Sequence, residues 1–527
     1  MKNILANRHG LAGLILLANV VFMVLMMFVL PMGFEENDDV VMCMIANGSY
    51  SGTPDYHLVF INVIYGHVLA WLYGITRAVE WYTLSFVVLH IISMTVLAYC
   101  IVTTRNRSRW ERILWLFVLY ILWARIIVAL QFTTTAGLVC LAGCILLTRK
   151  SRWSPWGGVL MVVIAGLIRF MAAGLVGVLM APIIIYKLHL EWKRYIPLFV
   201  MVVLVLGCFA YNRHVYNSEP EWRYYREYNQ LRAQLNDNPN AHRLQPEQMP
   251  EGIDWMDYQL LLGFIPDPEQ IDLPAIRQLS AVVNAIPYKQ QWRNLERLEK
   301  YAFELSVLLA LLVLMIMTTG NYKKYIFLIL YSLFVIALII HVSLDGFLKN
   351  RVFMCMLLPI LMTDFMLLPN TIGKKRRYAL CLAMLTLSGW YIYTTNQEQR
   401  ECEYQSRVWR YLQQPVLEYV PEGSNVITLG SFTLVQAGNP WKVWPYDTKK
   451  YTLGWMTWNP LNTPIGHSYR MLLNEEMYVF TESDYTRENS VVSTVCEQLE
   501  TNYNVKVRIR PICHNHTYAL IQICPVE

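Results

Sequence analysis

Four carboxylates lie within five consecutive residues, in the run Glu35–Asp39. The run follows an apolar stretch, 10–32, that is long enough to cross a bilayer as a helix, so the chain has returned to water at these acids. A carboxylate at such an interface can take a proton from a hydroxyl group as a general base, and neighbouring carboxylates can hold a divalent cation. Asp38 and Asp39 are therefore the candidate catalytic residues. Glu36, Asp38 and Asp39 are candidate ligands if a metal binds, although their spacing does not require one.

Basic side chains that could hold a phosphate occur near the predicted ends of apolar runs, because arginine and lysine are the side chains that bind phosphate oxygens. Arg125 lies within one run, Arg169 ends another, and Lys349 and Arg351 begin a third. These four are candidate substrate-binding residues.

Two further candidate binding residues, Tyr50 and His57, lie in the segment that follows the acidic run. Each candidate also has a simpler interpretation. One aspartate could cap a helix over 40–46, a role compatible with catalysis. Lys349 and Arg351 could reach the lipid head groups, Arg125 could form an internal ion pair, and Tyr50 and His57 could be anchoring or packing residues.

The composition predicts the elements that must position these residues. The chain has 527 residues, of which 55% are hydrophobic and only 16% charged, as in a protein that crosses the membrane many times. The net charge of +6 does not indicate nucleic-acid binding, because the basic residues occupy short loops between apolar runs. The apolar runs lie near 10–32, 57–75, 82–103, 113–131, 134–148, 157–170, 172–188, 195–213, 302–319, 323–343, 352–369 and 377–395.

Clusters of basic residues orient these runs. They lie at 105–112, 149–152, 187–194, 323–324 and 374–377. All of them, with Lys2 and Arg8, share one side of the membrane only if the run 57–75 does not span. The positive-inside rule makes that side cytoplasmic. The sequence thus predicts eleven spanning helices and a helix at the outer interface over 57–75.

The predicted topology leaves three long polar segments outside: 33–80, 214–300 and 396–527. A helix is predicted from Pro220, with aromatic residues at helical spacing that favour the head-group zone, and a second one over 274–283. The last segment reads as a small α/β domain, with strands at 424–431, 477–481, 505–512 and 517–524 and a helix over 489–503. We therefore predict a mainly α polytopic protein, residues 1–395, followed by an external α/β domain, residues 396–527.

The eleven cysteines show no metal-ligand spacing. Four of them fall near or in the external domain, and an even set outside the cytoplasm can form disulfides. Their pairing does not follow from the sequence. These four are Cys402, Cys496, Cys513 and Cys524.

The layout resembles the GT-C superfamily of membrane glycosyltransferases, which take sugars from polyprenyl-phosphate carriers. The matching features are the Asp38-Asp39 pair just after the first helix, the interfacial helix over 57–75, the long loop between helices seven and eight, and the external C-terminal domain. The stretches 48–54, 72–73 and 81–82 look like a bacterial branch of that superfamily. A WWD-type motif is missing from the C-terminal segment, which argues against transfer of an oligosaccharide to asparagine.

The resemblance implies a function in the bacterial inner membrane. A sugar would pass from a polyprenyl-phosphate donor to an extracytoplasmic glycan, lipid or protein, with Asp38 or Asp39 as the base. Some relatives bind a divalent cation at the acidic motif, and others do not. Two alternatives remain, a polymerase or ligase of lipid-linked glycans and a transporter of them. The absence of a two-fold repeat and the position of the charges at the external edge disfavour the transporter.

Overall fold

The computed structural model describes residues 8–104, 107–188, 191–238, 240–285, 295–296, 298–318, 322–344, 348–367, 374–430, 439–442 and 448–526. Lys2 and Arg105, which contributed to the topology prediction, lie outside these ranges. The helices of the first part of the chain are α1 Arg8–Val29, α2 Asn37–Asn47, α3 Val63–Ile75, α4 Trp81–Thr103, α5 Arg109–Val128, α6 Phe132–Leu147, α7 Ser154–Leu188 and α8 Ile196–Ser218.

The remaining helices carry the polar loop and the second half of the bundle. They are α9 Pro220–Asn236, α10 Trp255–Leu262, α11 Leu273–Asn284, α12 Ala302–Thr318, α13 Tyr322–Leu344, α14 Asn350–Leu367, α15 Lys374–Val408, α16 Gln414–Leu417 and α17 Val491–Tyr503. The strands are β1 Gly33–Phe34, β2 Ala129–Leu130, β3 Asn425–Thr428, β4 Lys449–Tyr451, β5 Met477–Glu482, β6 Val507–His514 and β7 Tyr518–Pro525.

Six helices in the described part of the chain are long and apolar enough to cross a membrane. The chain is therefore an integral membrane protein, although this criterion does not reproduce the predicted count of eleven spans. Helix α3 has only 13 residues, a rise of about 20 Å, which is too short for the roughly 30 Å hydrocarbon core. Its shortness agrees with the prediction that 57–75 does not span.

Helix α7 consists of two helical segments that meet at Arg169, whose φ of −153° and ψ of 100° are not helical. The first and last turns of α7 lie close together. Arg194 donates hydrogen bonds to the carbonyls of Thr148 and Lys187 at 3.1 and 3.2 Å, and Gly158, near the start of α7, packs on Leu147. The chain therefore reverses at Arg169, as the separate apolar runs 157–170 and 172–188 predict.

Four of the predicted basic clusters meet at one end of the bundle. Arg194 joins two of them, Arg377 lies 3.4 Å from Glu111, and Arg107 donates to the carbonyl of Phe365 at 3.0 Å. We call this the basic end. The opposite end carries the segment 33–80 and the C-terminal segment, and we call it the loop end.

The C-terminal segment forms a five-stranded sheet in the order β4-β3-β5-β7-β6. Strands β4, β3 and β5 run parallel, whereas β5, β7 and β6 pair antiparallel. The predicted strands and helix α17 are confirmed, and β4 was missed. Helix α15 continues past residue 395, so the predicted domain boundary falls inside a helix. All eleven cysteines are free, so the suggested disulfides are not formed.

The environment predicted for helix α9 is wrong. Its aromatic residues Trp222, Tyr225 and Tyr228 are buried by protein rather than lying on the membrane. The hydroxyl of Tyr225 donates to the carbonyl of Trp455 at 2.9 Å. This helix therefore connects the polar loop to the C-terminal segment, because periodicity identifies an apolar face but not what covers it.

Candidate active site

The acidic run opens helix α2, which begins at Asn37. Glu36 occupies the N-cap position and makes no side-chain capping bond, so neither aspartate caps the helix and that interpretation is wrong. Asp38 and Asp39 instead lie in the first turn, where the helix dipole favours negative charge. Strands β1 and β2 pair in parallel just before and beside this turn, which attaches the start of the loop to the bundle.

Asp39 is completely buried. Its Oδ1 accepts hydrogen bonds from the hydroxyl of Tyr82 at 2.9 Å and from the backbone N–H of Phe132 at 3.0 Å. It thereby joins α2 to the first turns of α4 and α6. Burial raises the pKa of this carboxyl well above its usual range, and the bond from Tyr82 opposes that shift only in part. These contacts are those of a residue that holds the loop in place.

Asp38 is half-buried and faces charged side chains. Its electrostatic neighbours are Arg351, Glu36, Arg169 and Arg232. Burial raises its pKa, and Arg351 is the strongest influence in the opposite direction. Asp38 is therefore partly accessible, and three guanidinium groups influence its charge, although none of them forms an ion pair with it among the described residues.

Arg169 lies at the reversal of helix α7, at the loop end. Its guanidinium carbon is 5.4 Å from the ring centroid of Phe60 and 5.3 Å from that of Phe132. Within the described part of the chain no hydrogen bond or ion pair engages this group. It can therefore offer its N–H donors to an anion.

Arg351 is in the first turn of α14 and forms an ion pair with Glu36. Its side chain is only 14% exposed, so it lies within the site rather than among lipid head groups. Lys349 is more exposed and pairs with Asp237 of the polar loop at 3.2 Å. Of the two predicted phosphate ligands on this element, Arg351 faces Asp38 and Lys349 contacts the loop.

Arg125 forms an ion pair with Glu398 of α15 at 2.9 Å, as in the simpler interpretation. The pair adjoins a polar cavity of about 150 Å³ that is lined by Glu35, Glu398 and Glu401, among others. Burial raises the pKa of Glu35 to about 7, opposed by Arg125. Arg125 is thus beside the candidate site and already partnered.

Tyr50 and His57 do not join the site. Tyr50 is completely buried, and its hydroxyl donates to Oδ1 of Asn462 at 2.8 Å. The Nδ1 atom of His57 lies 2.9 Å from Asp55, and its ring stacks on Trp222 with centroids 4.1 Å apart. Both side chains fix the first loop against the other segments at the loop end, and their predicted substrate contacts stay a prediction.

The sequence interpretation overlooked Arg232 of helix α9. This arginine is 6% exposed, its Nε–H donates to Asn229 at 3.0 Å, and its guanidinium lies 5.9 Å from the centroid of Phe264. Burial lowers its pKa, and the charge of Asp38 is among the influences that oppose the shift. The available signal was an arginine placed seven residues after Tyr225 on the aromatic face of a predicted helix.

The fit of a cation to the acidic run can be judged from its neighbours. Glu36 is paired with Arg351, and one oxygen of Asp39 is held by two hydrogen bonds. Among the described residues, no group of three or more acidic, histidine or cysteine side chains is arranged to hold a metal ion. The predicted ligand set of Glu36, Asp38 and Asp39 therefore is not brought together.

Comparison with known proteins gives little sequence similarity. No family model and no curated protein matches the chain. Two solved structures align over 97% of it, both of ArnT from Cupriavidus metallidurans, one bound to undecaprenyl phosphate and one in the apo state. They share 11% identity with this chain, with TM-scores of 0.42 and 0.40, and the alignments cover 97% and 98% of those chains. At these values neither structure assigns a family or an activity to this protein.

Proposed function

We propose that this protein is a membrane glycosyltransferase of the GT-C type that uses a polyprenyl-phosphate sugar as donor. The observation that carries the proposal is the position of Asp38. It is a half-buried carboxylate at the loop end whose charge is influenced by Arg351 and Arg169, of which Arg169 has no hydrogen-bond or ion-pair partner among the described residues. A base opposite cations that can hold a phosphate is the arrangement that displacement at a sugar phosphate requires.

Each residue has a distinct part in this reaction. The Asp38 carboxylate takes the proton of the acceptor hydroxyl as its oxygen attacks the anomeric carbon. The bond from that carbon to the phosphate oxygen breaks, and polyprenyl phosphate leaves with the electron pair. Arg169 and Arg351 stabilise the charge that develops on the departing phosphate.

Asp39 is a positioning residue in this proposal. Its hydrogen bonds from Tyr82 and Phe132 fix the first turn of α2 against α4 and α6. Because Asp38 precedes it in the same turn, this attachment fixes the direction of the catalytic carboxylate.

The orientation of the chain is part of the proposal. The basic end faces the cytoplasm under the positive-inside rule, so the site and the C-terminal segment lie outside. In a bacterium this places the reaction at the outer face of the inner membrane. The acceptor is then a glycan, a lipid or a protein on that side, and nucleic acid is not a partner.

The test is transfer by the purified full-length protein from polyprenyl-phosphate hexoses to candidate acceptors. We expect Asp38→Asn to lower transfer by roughly 10²–10⁴-fold, the usual contribution of a general base. The matched control is Asp484→Asn, which removes an exposed carboxylate of the C-terminal segment and should leave transfer unchanged. Equal rates for the wild type and a folded Asp38→Asn protein would refute the assignment.

A further inference from the structure

A groove of about 330 Å³ runs between helices α12, α13 and α14, away from the candidate active site. Its walls are almost wholly aliphatic, with Leu305, Leu312, Val335 and Ile339 among the lining residues. On α13 the lining extends from Leu328 to Ile340, a rise of about 18 Å. That length corresponds to the acyl layer of one leaflet, roughly half of a hydrocarbon core of about 30 Å.

One carboxylate, Asp364 of α14, lines this groove. The residue is 6% exposed, and its side chain has no hydrogen bond or ion pair with any described residue. The polar neighbours are occupied elsewhere, because Tyr331 donates to Thr363 at 3.4 Å and Ser332 donates to the carbonyl of Leu328 at 2.5 Å. A lone carboxylate in such surroundings is costly unless a cation or a donor reaches it.

The position of Asp364 along the helix decides which part of a lipid could meet it. The next residue, Phe365, accepts a hydrogen bond from Arg107 through its carbonyl, so Asp364 lies at the basic end. Asp364 is thus near the head groups of the leaflet at that end. From there the aliphatic walls run across the middle of the membrane toward the loop end, where Leu298 lines the groove.

We propose that this groove binds a phospholipid with a primary ammonium head group, as in phosphatidylethanolamine. The ammonium donates hydrogen bonds to Asp364, and an acyl chain lies along α13. A primary ammonium has three N–H donors for the carboxylate, whereas the quaternary ammonium of phosphatidylcholine has none. This site is independent of the proposed glycosyl transfer.

The experiment is native mass spectrometry of the full-length protein in micelles that contain equal amounts of phosphatidylethanolamine, phosphatidylcholine and phosphatidylglycerol. We expect phosphatidylethanolamine to be retained roughly tenfold over phosphatidylcholine, as a charge-assisted hydrogen bond would give. Asp364→Asn should abolish this preference. Asp484→Asn, which removes an exposed carboxylate of the C-terminal segment, is the matched control and should keep the preference.

A second variant covers the case in which Asp364→Asn fails to fold. Ile336→Trp places a large side chain in the groove from the partly exposed face of α13, and it should remove the bound lipid while Asp364 remains. Equal retention of phosphatidylethanolamine and phosphatidylcholine by the wild type would overturn the proposal. Displacement of the lipid by polyprenyl phosphate alone, at equal efficiency in the wild type and in Asp364→Asn, would also overturn it and would assign the groove to the carrier.

Discussion

The two ends of the helix bundle use arginine differently. At the basic end, arginines complete the ends of helices: Arg194 donates to the carbonyls of Thr148 and Lys187, and Arg107 donates to that of Phe365. These carbonyls belong to the last turns of helices or follow them, where they have no partner within the helix. At the loop end, Arg351 instead pairs with Glu36, and both Arg351 and Arg169 influence the charge of Asp38.

The same residue type, arginine, therefore has two different roles at the two ends of this protein. An arginine that satisfies helix carbonyls contributes to stability and needs no substrate. Arg169 lies against two aromatic rings near a half-buried carboxylate, and its N–H donors remain available to a ligand. If the proposed function is right, substitutions at the two ends should affect different measurements.

The largest difference in transfer rate between the two ends is expected from Arg169→Met. Removing this guanidinium takes away a donor to the departing phosphate, so we expect transfer to fall roughly 10²–10³-fold, as when one preorganised donor is lost. This fall is measured as the rate of sugar transfer by the purified protein. Arg194→Met at the basic end is the matched variant and should retain transfer. A similar loss in both variants would show that the two ends do not differ in role.

Asp39→Asn should mainly affect stability. The amide oxygen can still accept from Tyr82 and Phe132, but the NH₂ group replaces the buried Oδ2, which has no hydrogen-bond partner, so its N–H donors are left unsatisfied at a cost of about 1–3 kcal/mol. A lower thermal unfolding midpoint of the detergent-solubilised protein is the expected result. Transfer by the fraction that stays folded should fall less than in Asp38→Asn. The reverse order of activities would make Asp39 the base.

The dependence of transfer on pH sharpens the assignment of Asp38. Its pKa is raised above the ordinary 3.8, so transfer should increase with pH as the carboxyl deprotonates, over a range above that of an exposed aspartate. Arg351 lowers this pKa, so Arg351→Gln should move the acidic limb of the kcat/KM profile to higher pH. A limb that moves to lower pH, or one that Lys349→Gln shifts equally, would contradict the proposed geometry.

The smallest effect is expected from Arg377→Gln at the basic end. Its guanidinium is half-exposed and lies 3.4 Å from the buried Glu111, whose carboxylate keeps the hydrogen bond from the N–H of Ser108 when the arginine is lost, so we expect a cost of about 1 kcal/mol. Thermal unfolding should change little and transfer not at all. A severe loss of transfer would indicate that the basic end takes part in the reaction.

Much of the local structure could be predicted from the sequence. The positions of α1, α4 and α8, the break at Arg169 and the later strands of the C-terminal segment agree with the apolar patterns. These patterns depend on neighbouring residues along the chain, which is why they can be read without the fold. The missed strand β4 has only three residues, too few to show alternation.

The candidate site could be predicted only in part. The acidic run and its basic partners were identified by residue type, and Arg351 and Arg169 are among the charges that influence Asp38. Arg232 was overlooked, and the packing contacts of Tyr50 and His57 were not foreseen, because their surroundings come from segments far along the chain. Arg232 faces the site through the packing of α9, whereas Tyr50 is enclosed by Asn462 and its neighbours.

The sequence by itself determined that the chain crosses a membrane and that acids follow the first helix, since apolar length and charge are properties of the chain. Only the tertiary structure decided which of the two aspartates is buried and which stays partly accessible. Adjacent residues of a helix point about 100° apart, so packing that buries one carboxylate turns the other outward. In α2 the contacts with α4 and α6 enclose Asp39, and Asp38 is left beside the arginines.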